Sequence, residues 1–187
     1  MKKTFILLAL VNSIINTSFG QQGQPAAERF IKLLNNYHVD SLRPLLADNF
    51  QLKRTYANFT HNKTTFINQY VPKSENFNGK FKILKASHNN NTSHFLVEDQ
   101  SDYFKYLHIT NPKWKINLTT DKAGRIETMI VDTTESYRTY LLQVKQKGEA
   151  FDKWIQQNHP EESKEKLDTT AGLLIIRLKE YAEKNPQ

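Results

Sequence analysis

The chain has 187 residues, of which 38% are apolar and 24% charged, and it contains no cysteine. These values exclude a disordered or collagen-like chain, a disulfide framework and a cysteine metal site. The formal charge is +7, but the lysines mostly alternate with acidic residues instead of forming one basic stripe, so we expect no nucleic-acid binding.

The first twenty residues have the pattern of a cleaved secretory leader. Lys2 and Lys3 precede a short apolar run at 5–11, and small residues stand just before Gln21. We predict cleavage near Gly20 and a periplasmic or secreted location. The formal charge then falls from +7 to about +5, because two lysines leave with the leader. The apolar run is too short for a membrane span, and no later segment is long enough.

Two helices are predicted after the leader. The first has apolar residues on one face. Those residues are Ala26, Phe30, Leu33, Leu34 and Tyr37. The second is short: Asp40 or Ser41 can cap it, Pro44 fits its first turn, and it ends near 48–50.

A short extended piece over 51–56 separates these helices from a third one. The third helix includes residues 66–70 and is expected to end at Pro72. Beyond Gly79 the apolar period changes from 3.6 to 2, which predicts a sheet.

Five strands are predicted in this sheet, with turn residues between them. The strands cover 80–88, 94–99, 102–110, 113–120 and 125–133. The turns cover 89–92, 111–112 and 121–124. The last hairpin has the clearest local pattern, because its first strand alternates strictly between apolar and polar residues.

Helices return at the C-terminal end of the chain. One covers 137–144, a second includes Phe151 and ends at Pro160, and a long amphipathic one begins near Leu167. That last helix must pack on the sheet or on a partner subunit. We therefore divide the chain into a leader, an α+β domain and a helical extension packed on the same domain. The divisions are 1–20, 21–135 and 136–187.

The order of the elements, together with Leu-Arg-Pro-Leu-Leu-Ala-Asp-Asn-Phe at 42–50 and the hairpin at 114–131, resembles the nuclear transport factor 2-like superfamily, also called SnoaL-like. The resemblance covers about 25–133, and the tail resembles the helical extension of some exported bacterial members. It implies an α+β fold in which three N-terminal helices pack on a cone-shaped, curved antiparallel sheet. It also implies an apolar pocket inside the cone.

Enzymes of this superfamily include ketosteroid isomerase, polyketide cyclases and scytalone dehydratase. No residue set in this chain matches a family catalytic set position by position, so we assign no catalytic residue. Three hypotheses follow. We favour a non-catalytic exported module that binds a small apolar or amphipathic ligand; the alternatives are an isomerase, dehydratase or cyclase, and a dimeric interaction domain. A buried aspartate with a raised pKa beside a tyrosine or histidine would favour an enzyme.

Candidate pocket residues come from the predicted strands and from the extended piece. The strand over 102–110 would place Phe104, Tyr106 and His108 on one face, where a tyrosine and a histidine could bind a carbonyl group or move a proton. Packing as core aromatics is the more common role of such residues. The other candidates are Tyr37, Arg54, Tyr56 and Asp132.

No metal or cofactor is predicted. His88 and His94 flank one hairpin, but a zinc site needs three or four ligands. The glycines form neither a phosphate loop nor a dinucleotide motif. A homodimer is expected, because the outer face of the sheet and the C-terminal helices offer apolar positions to a second copy.

Overall fold

The computed structural model describes residues 23–170 and 172–186, so the predicted secretory leader lies outside the described residues. Within them, six strands form one sheet that helices cover. The strands are β1 (Leu46–Arg54), β2 (Thr60–Asn62), β3 (Lys80–Asn89), β4 (Thr92–Gln100), β5 (Lys113–Thr120) and β6 (Ile126–Asp132). The predicted α+β class is confirmed.

The helices lie before, within and after the sheet in sequence. They are α1 (Gly23–Asn35), α2 (Val39–Leu42), α3 (Lys63–Thr65), α4 (Val71–Asn76), α5 (Asp102–Tyr106), α6 (Tyr137–Asn158), α7 (Lys164–Thr169) and α8 (Leu173–Lys184). A 3-10 turn at Arg43–Leu45 follows α2, and a π turn at Phe66–Tyr70 joins α3 to α4. No helix in the described ranges is long and apolar enough to cross a membrane.

The sheet is mixed instead of wholly antiparallel, which corrects the prediction. Its order is β2-β1-β6-β5-β4-β3, and β1 runs parallel to β6. The parallel pair exists because residues 46–54 form a strand, although the sequence predicted a helix ending near 48–50. Phe50 and Leu52 are buried while Gln51 is exposed, so a period of two governs this segment.

Buried aromatic rings fill the space between the sheet and the N-terminal helices. Phe30 of α1 lies 6.0 Å from Phe66, measured between ring centroids, and Phe50 of β1 lies 5.0 Å from Phe66. All three side chains are fully buried. The interior of the cone is therefore packed with protein at this level.

The third helical segment continues past Pro72, where it was expected to end. Pro72 lies at the start of α4, directly after the π turn. The wider π turn interrupts the regular ladder of α-helical hydrogen bonds at this point, so the missing N–H of proline is tolerated.

The segment predicted as a strand over 102–110 is a helix followed by a turn. The Ser101 hydroxyl accepts a hydrogen bond from the Phe104 amide at 3.3 Å, which caps α5. Phe104 and Leu107 are both buried. Their spacing of three residues suits one face of a helix, and it outweighed the apparent alternation of aromatic residues.

The C-terminal helices surround a second hydrophobic cluster. The cluster consists of Phe104, Leu107, Ile109, Phe151, Trp154, Ile155, Leu167 and Leu178. α6 joins two predicted helical pieces into one, whereas the predicted long last helix is divided into α7 and α8. The division falls near Gly172, whose φ of +74° lies in the left-handed region that favours glycine. Tyr140 of α6 packs against both this cluster and the main core.

Candidate functional site

The last residue of β1 places a charged group on the apolar face of the sheet. Phe50 and Leu52 point into the core, and the alternation of the strand sends Arg54 to the same side. The Nε atom of Arg54 is buried and has no hydrogen-bond partner among the residues that the structure describes. Buried cationic donors are nearly always paired in folded proteins, so an orphan donor of this kind needs an explanation.

Aromatic rings surround the guanidinium of Arg54. Its central carbon lies 5.2 Å from the ring centroid of Phe59 and 5.9 Å from that of Tyr70, distances typical of cation–π contacts. His61 contacts both rings, at 5.1 and 5.8 Å between centroids. Burial and the neighbouring Arg54 lower the pKa of His61, so this imidazole is neutral at pH 7 and Arg54 carries the local positive charge.

A carboxyl group lies on the other side of the site. Asp99 follows Phe95 and Val97 on the inward face of β4 and accepts a hydrogen bond from Trp114 Nε1 at 3.1 Å. Burial raises the pKa of Asp99 to about 6, while Trp114 and Arg54 act in the opposite direction. Among the described residues, Asp99 and Arg54 form no ion pair, although each influences the other through space.

Tyrosine rings complete the enclosure. Tyr56 stacks on Trp114 with ring centroids 5.0 Å apart and planes 12° apart, and Tyr140 of α6 meets Trp114 edge-on at 5.5 Å. Burial raises the pKa of Tyr140 to about 12, so its hydroxyl remains a hydrogen-bond donor. We call this set the Arg54 cluster. It comprises Arg54, Tyr56, Phe59, His61, Tyr70, Asp99, Trp114 and Tyr140.

Two of the predicted pocket residues, Arg54 and Tyr56, meet in this cluster. Phe104 borders it, with its ring 5.9 Å from Tyr140. Tyr37 lies elsewhere and donates a hydrogen bond to the Gly79 carbonyl at 2.9 Å.

Asp132 has the environment of a structural turn residue. It accepts hydrogen bonds from the Thr55 hydroxyl at 2.5 Å and from the Thr133 amide at 2.8 Å. These bonds hold the pKa of Asp132 below its usual value. A carboxylate stabilised in this way is a poor base at neutral pH, because it has little tendency to take up a proton.

The expected face shared by Phe104, Tyr106 and His108 does not form, because these residues lie on α5 and the turn after it. Tyr106 packs in the second hydrophobic cluster, with the Lys105 ammonium 5.5 Å from its ring. His108 is exposed in the turn, at φ +53°. The structure therefore brings no tyrosine–histidine pair together at this place.

Sequence reasoning missed several members of the cluster, among them Tyr70, Asp99, Trp114 and Tyr140. Asp99 had a usable signal: it continues the alternation of Phe95 and Val97 and so brings a carboxyl to an apolar face. Tyr70 and Tyr140 had none, because both are helical residues whose neighbours depend on how the helices dock.

A second group of polar residues lies near the start of α7. Ligand atoms of His159, Glu161 and Glu162 are within 4.8 Å of one another, as a metal site would require. Arg177 nevertheless binds both carboxylate oxygens of Glu162, at 2.6 and 2.8 Å, and Glu180 binds His159 Nε2 at 3.1 Å. We call these four paired residues, His159, Glu162, Arg177 and Glu180, the Arg177 network. Ion pairs join Arg177 to Glu162 and Glu180, and a hydrogen bond joins Glu180 to His159, so a structural role accounts for the network.

A shallow groove of about 410 Å³ runs between α1 and β3. The Asn35 side chain lies in it and makes two 2.8 Å hydrogen bonds to the backbone of Phe81. The amide thereby satisfies backbone groups of an edge strand. No member of the Arg54 cluster lines this groove.

No family model matches the chain, and no curated protein matches it. Solved structures do. A candidate ketosteroid isomerase from Kribbella flavida has a TM-score of 0.52 and 11% identity, covering 63% of this chain and 82% of that one. An NTF2-like protein of unknown function from Cytophaga hutchinsonii has a TM-score of 0.46 and 15% identity, covering 58% and 87%. A candidate polyketide cyclase from Sinorhizobium meliloti has a TM-score of 0.49 and 9% identity, covering 57% and 93%. At these identities the likeness concerns the fold alone.

Proposed function

We propose that this chain, which has the nuclear transport factor 2-like fold, binds a small amphipathic molecule at the Arg54 cluster. One observation carries the proposal: the Nε atom of Arg54 is buried and lacks an acceptor. Leaving a buried donor unpaired costs free energy, and a ligand acceptor would recover it. The surrounding rings offer the apolar contact that small-molecule sites use.

The proposed site lies beside Arg54 and not deep inside the cone. Phe30, Phe50 and Phe66 are fully buried and occupy the interior. Tyr56, which stacks on the buried Trp114 ring, forms one wall of the site, and Phe59 and Tyr70 flank the guanidinium. A ligand bound there would contact rings with its apolar part and the guanidinium with its polar part.

Native mass spectrometry of the mature protein, purified from its natural source, tests this function. We expect a co-purifying small molecule that is lost in Tyr56→Ala. The matched control is Tyr106→Ala, which removes a partly buried tyrosine outside the cluster and should keep the molecule. Retention in the Tyr56 variant, or wild-type protein that carries no small molecule, would contradict the proposal.

An enzyme is the second candidate, and Asp99 is the observation that favours it. Its carboxyl group has a pKa raised to about 6 and lies near the hydroxyls of Tyr56 and Tyr140. Such a group can accept and return a proton near neutral pH, as isomerases and dehydratases require. Incubation of the co-purified molecule with wild type and Asp99→Asn separates the two functions. Conversion by wild type only would establish catalysis, and an unchanged molecule in both would support binding alone.

Export and dimerisation are separate proposals. Export depends on the first twenty residues, and we expect the mature protein to begin at Gln21 when its N-terminus is sequenced from periplasm or medium. Intact protein beginning at Met1 in the cytosol would contradict it. A homodimer stays a prediction, to be tested by measuring the mass of the mature chain at two concentrations.

A further inference from the structure

We propose that the ligand of the Arg54 cluster is a carboxylic acid with a flat apolar body, and that its carboxylate binds the Arg54 guanidinium through Nε. The inference rests on the proposed function, because it names the chemical class of the ligand at that same site. Three properties of the cluster support it: the Arg54 Nε donor that lacks an acceptor, the charges of the neighbouring groups and the shape of the aromatic surface.

The donor requires an acceptor in the direction of Nε. An arginine side chain presents its N–H groups as a planar fork, and a carboxylate matches two of them at once. Asp99 does not fill this role: it forms no ion pair with Arg54 among the described residues, and its Oδ2 atom accepts a hydrogen bond from Trp114 Nε1. The Tyr70 side chain is hydrogen-bonded to the guanidinium, and a carboxylate from outside the chain would supply the acceptor that Nε lacks among the described residues.

The charges favour a monoanion over a phosphate. Arg54 is the cation of the cluster, because burial keeps His61 neutral at pH 7 by lowering its pKa. Above pH 6, Asp99 adds a negative charge on the same side of the sheet. Either anion would face the Asp99 carboxylate as well as the guanidinium, and a doubly charged phosphate would be repelled by Asp99 more strongly than a singly charged carboxylate.

The walls favour a flat body. Tyr56 covers the buried Trp114 ring, with planes 12° apart, so the partly exposed Tyr56 is the member of this pair that a ligand can contact. Phe59 is one of the exposed large apolar residues, and its ring adjoins Arg54. A planar or near-planar hydrocarbon can cover these rings while its acid group reaches the guanidinium.

Calorimetric titration of the mature chain with paired probes tests the inference. The acids are benzoate, 2-naphthoate and decanoate, and each is compared with its own amide, which keeps the body and removes the charge. We expect the acid with the best-fitting body to bind about ten-fold or more tightly than its amide. 2-Naphthyl phosphate is included as the doubly charged probe and should bind more weakly than 2-naphthoate.

Substitutions then assign the difference to Arg54. Arg54→Gln should abolish the preference for the acid over its amide, because it removes both the charge and the pair of N–H groups that a carboxylate matches. Arg54→Lys keeps the positive charge but loses the planar pair of N–H donors, so it should retain only part of the preference for the acid over its amide. Arg43→Gln, at an exposed arginine, should behave as wild type. Thermal unfolding of each variant establishes that it is folded.

The possible results distinguish the inference of a carboxylate ligand from the proposed binding function on which it rests. Three results would each overturn the inference that the ligand is a carboxylate. They are amides that bind as tightly as the acids, a phosphate that binds more tightly than the acid, and an acid preference that is unchanged in Arg54→Gln. Failure of all three acids would also overturn it. In any of these cases a co-purified neutral molecule, lost in Tyr56→Ala, would leave the binding function standing. A protein that co-purifies with no small molecule and binds none of the probes would contradict both the binding function and the carboxylate inference.

Discussion

Arg177 donates hydrogen bonds to two carboxylates, whereas the buried Nε atom of Arg54 has no acceptor. Both arginines are partly buried, and both have acidic groups nearby. Arg177 grips Glu162 with two nitrogens and reaches Glu180 at 3.0 Å. Arg54 faces aromatic rings, and Asp99, the acid that interacts with it through space, is hydrogen-bonded to Trp114.

The contrast separates a structural use of arginine from a functional one. A charge removed from water is compensated only when its partners are complete. In the Arg177 network the partners come from this chain, so the network joins α8 to the segment before α7. At Arg54 the Tyr70 side chain is hydrogen-bonded to the guanidinium, but the Nε atom has no acceptor among the described residues, so a ligand that supplies one would add stability.

Replacing each arginine by methionine should give the largest difference in stability between the two regions. Arg177→Met leaves the buried Glu162 without its partner, so we expect the melting temperature to fall by several degrees. Arg54→Met removes a buried charge that has no ion-pair partner among the described residues and leaves an apolar side chain among rings, so the melting temperature should stay the same or rise. Thermal unfolding at pH 7.5 measures both. Equal losses would mean that Arg54 is a structural residue.

The pH dependence of stability should have opposite signs in the two regions. For Asp99 the folded pKa of about 6 lies above its usual value of 3.8. Its contribution is therefore complete below pH 3.8 and lost as pH rises through 6. Asp99→Asn should be more stable than wild type at pH 7.5, by about 1–3 kcal/mol, and the gain should disappear near pH 4. A gain that does not change with pH would contradict the raised pKa.

Glu162 supplies the opposite case. The hydrogen bond from Arg177 holds its pKa below the usual value of 4.5, so its contribution is present above that pH and lost as the pH falls. Urea unfolding of Glu162→Gln should show lower stability at pH 7 and a smaller loss between pH 5 and 3 than wild type. Parallel curves for the two proteins would show that the ion pair contributes nothing.

Glycine-to-alanine substitutions in the C-terminal helices should have the smallest effects on stability. Gly172 precedes α8, which carries Arg177, and its φ of +74° suits glycine. Nothing lies within 4 Å of a Cβ built there, so Gly172→Ala tests backbone strain alone and should cost about 1 kcal/mol. Gly148 in α6 is the matched control, with equally open space and no positive φ. Gly148→Ala should stabilise the protein by about 0.5–1 kcal/mol in the same denaturant titration.

The last hairpin shows where sequence reasoning works well. Residues 113–120 were predicted as a strand, and β5 has these bounds. The turn that follows depends on local bonds: the Asp121 side chain accepts from the amides of Ala123 and Arg125, and Gly124 has φ +77°. Such signals act within a few residues, so they can be read along the chain.

The segment over 102–110 shows where such reasoning fails. Alternating aromatics suggested a strand, yet Ser101 caps a helix and Phe104 and Leu107 pack against α6 and α8. The contacts that stabilise the helix come from residues 151–178. These residues lie far along the chain, so the pattern within 102–110 carries no information about them. The break at Gly172 was missed for a related reason, since the apolar stripe continues on both sides of it.

The sequence by itself determined the α+β class, most of the strands and a resemblance to one superfamily, because hydrophobic period and turn chemistry are local properties. It also marked Arg54 and Tyr56 as candidates. Only the tertiary structure decided that Asp99 and Trp114 join them, that Tyr140 of α6 closes over them and that Arg54 Nε has no acceptor. Burial and pairing depend on which distant element covers a side chain, and that is settled when the chain packs.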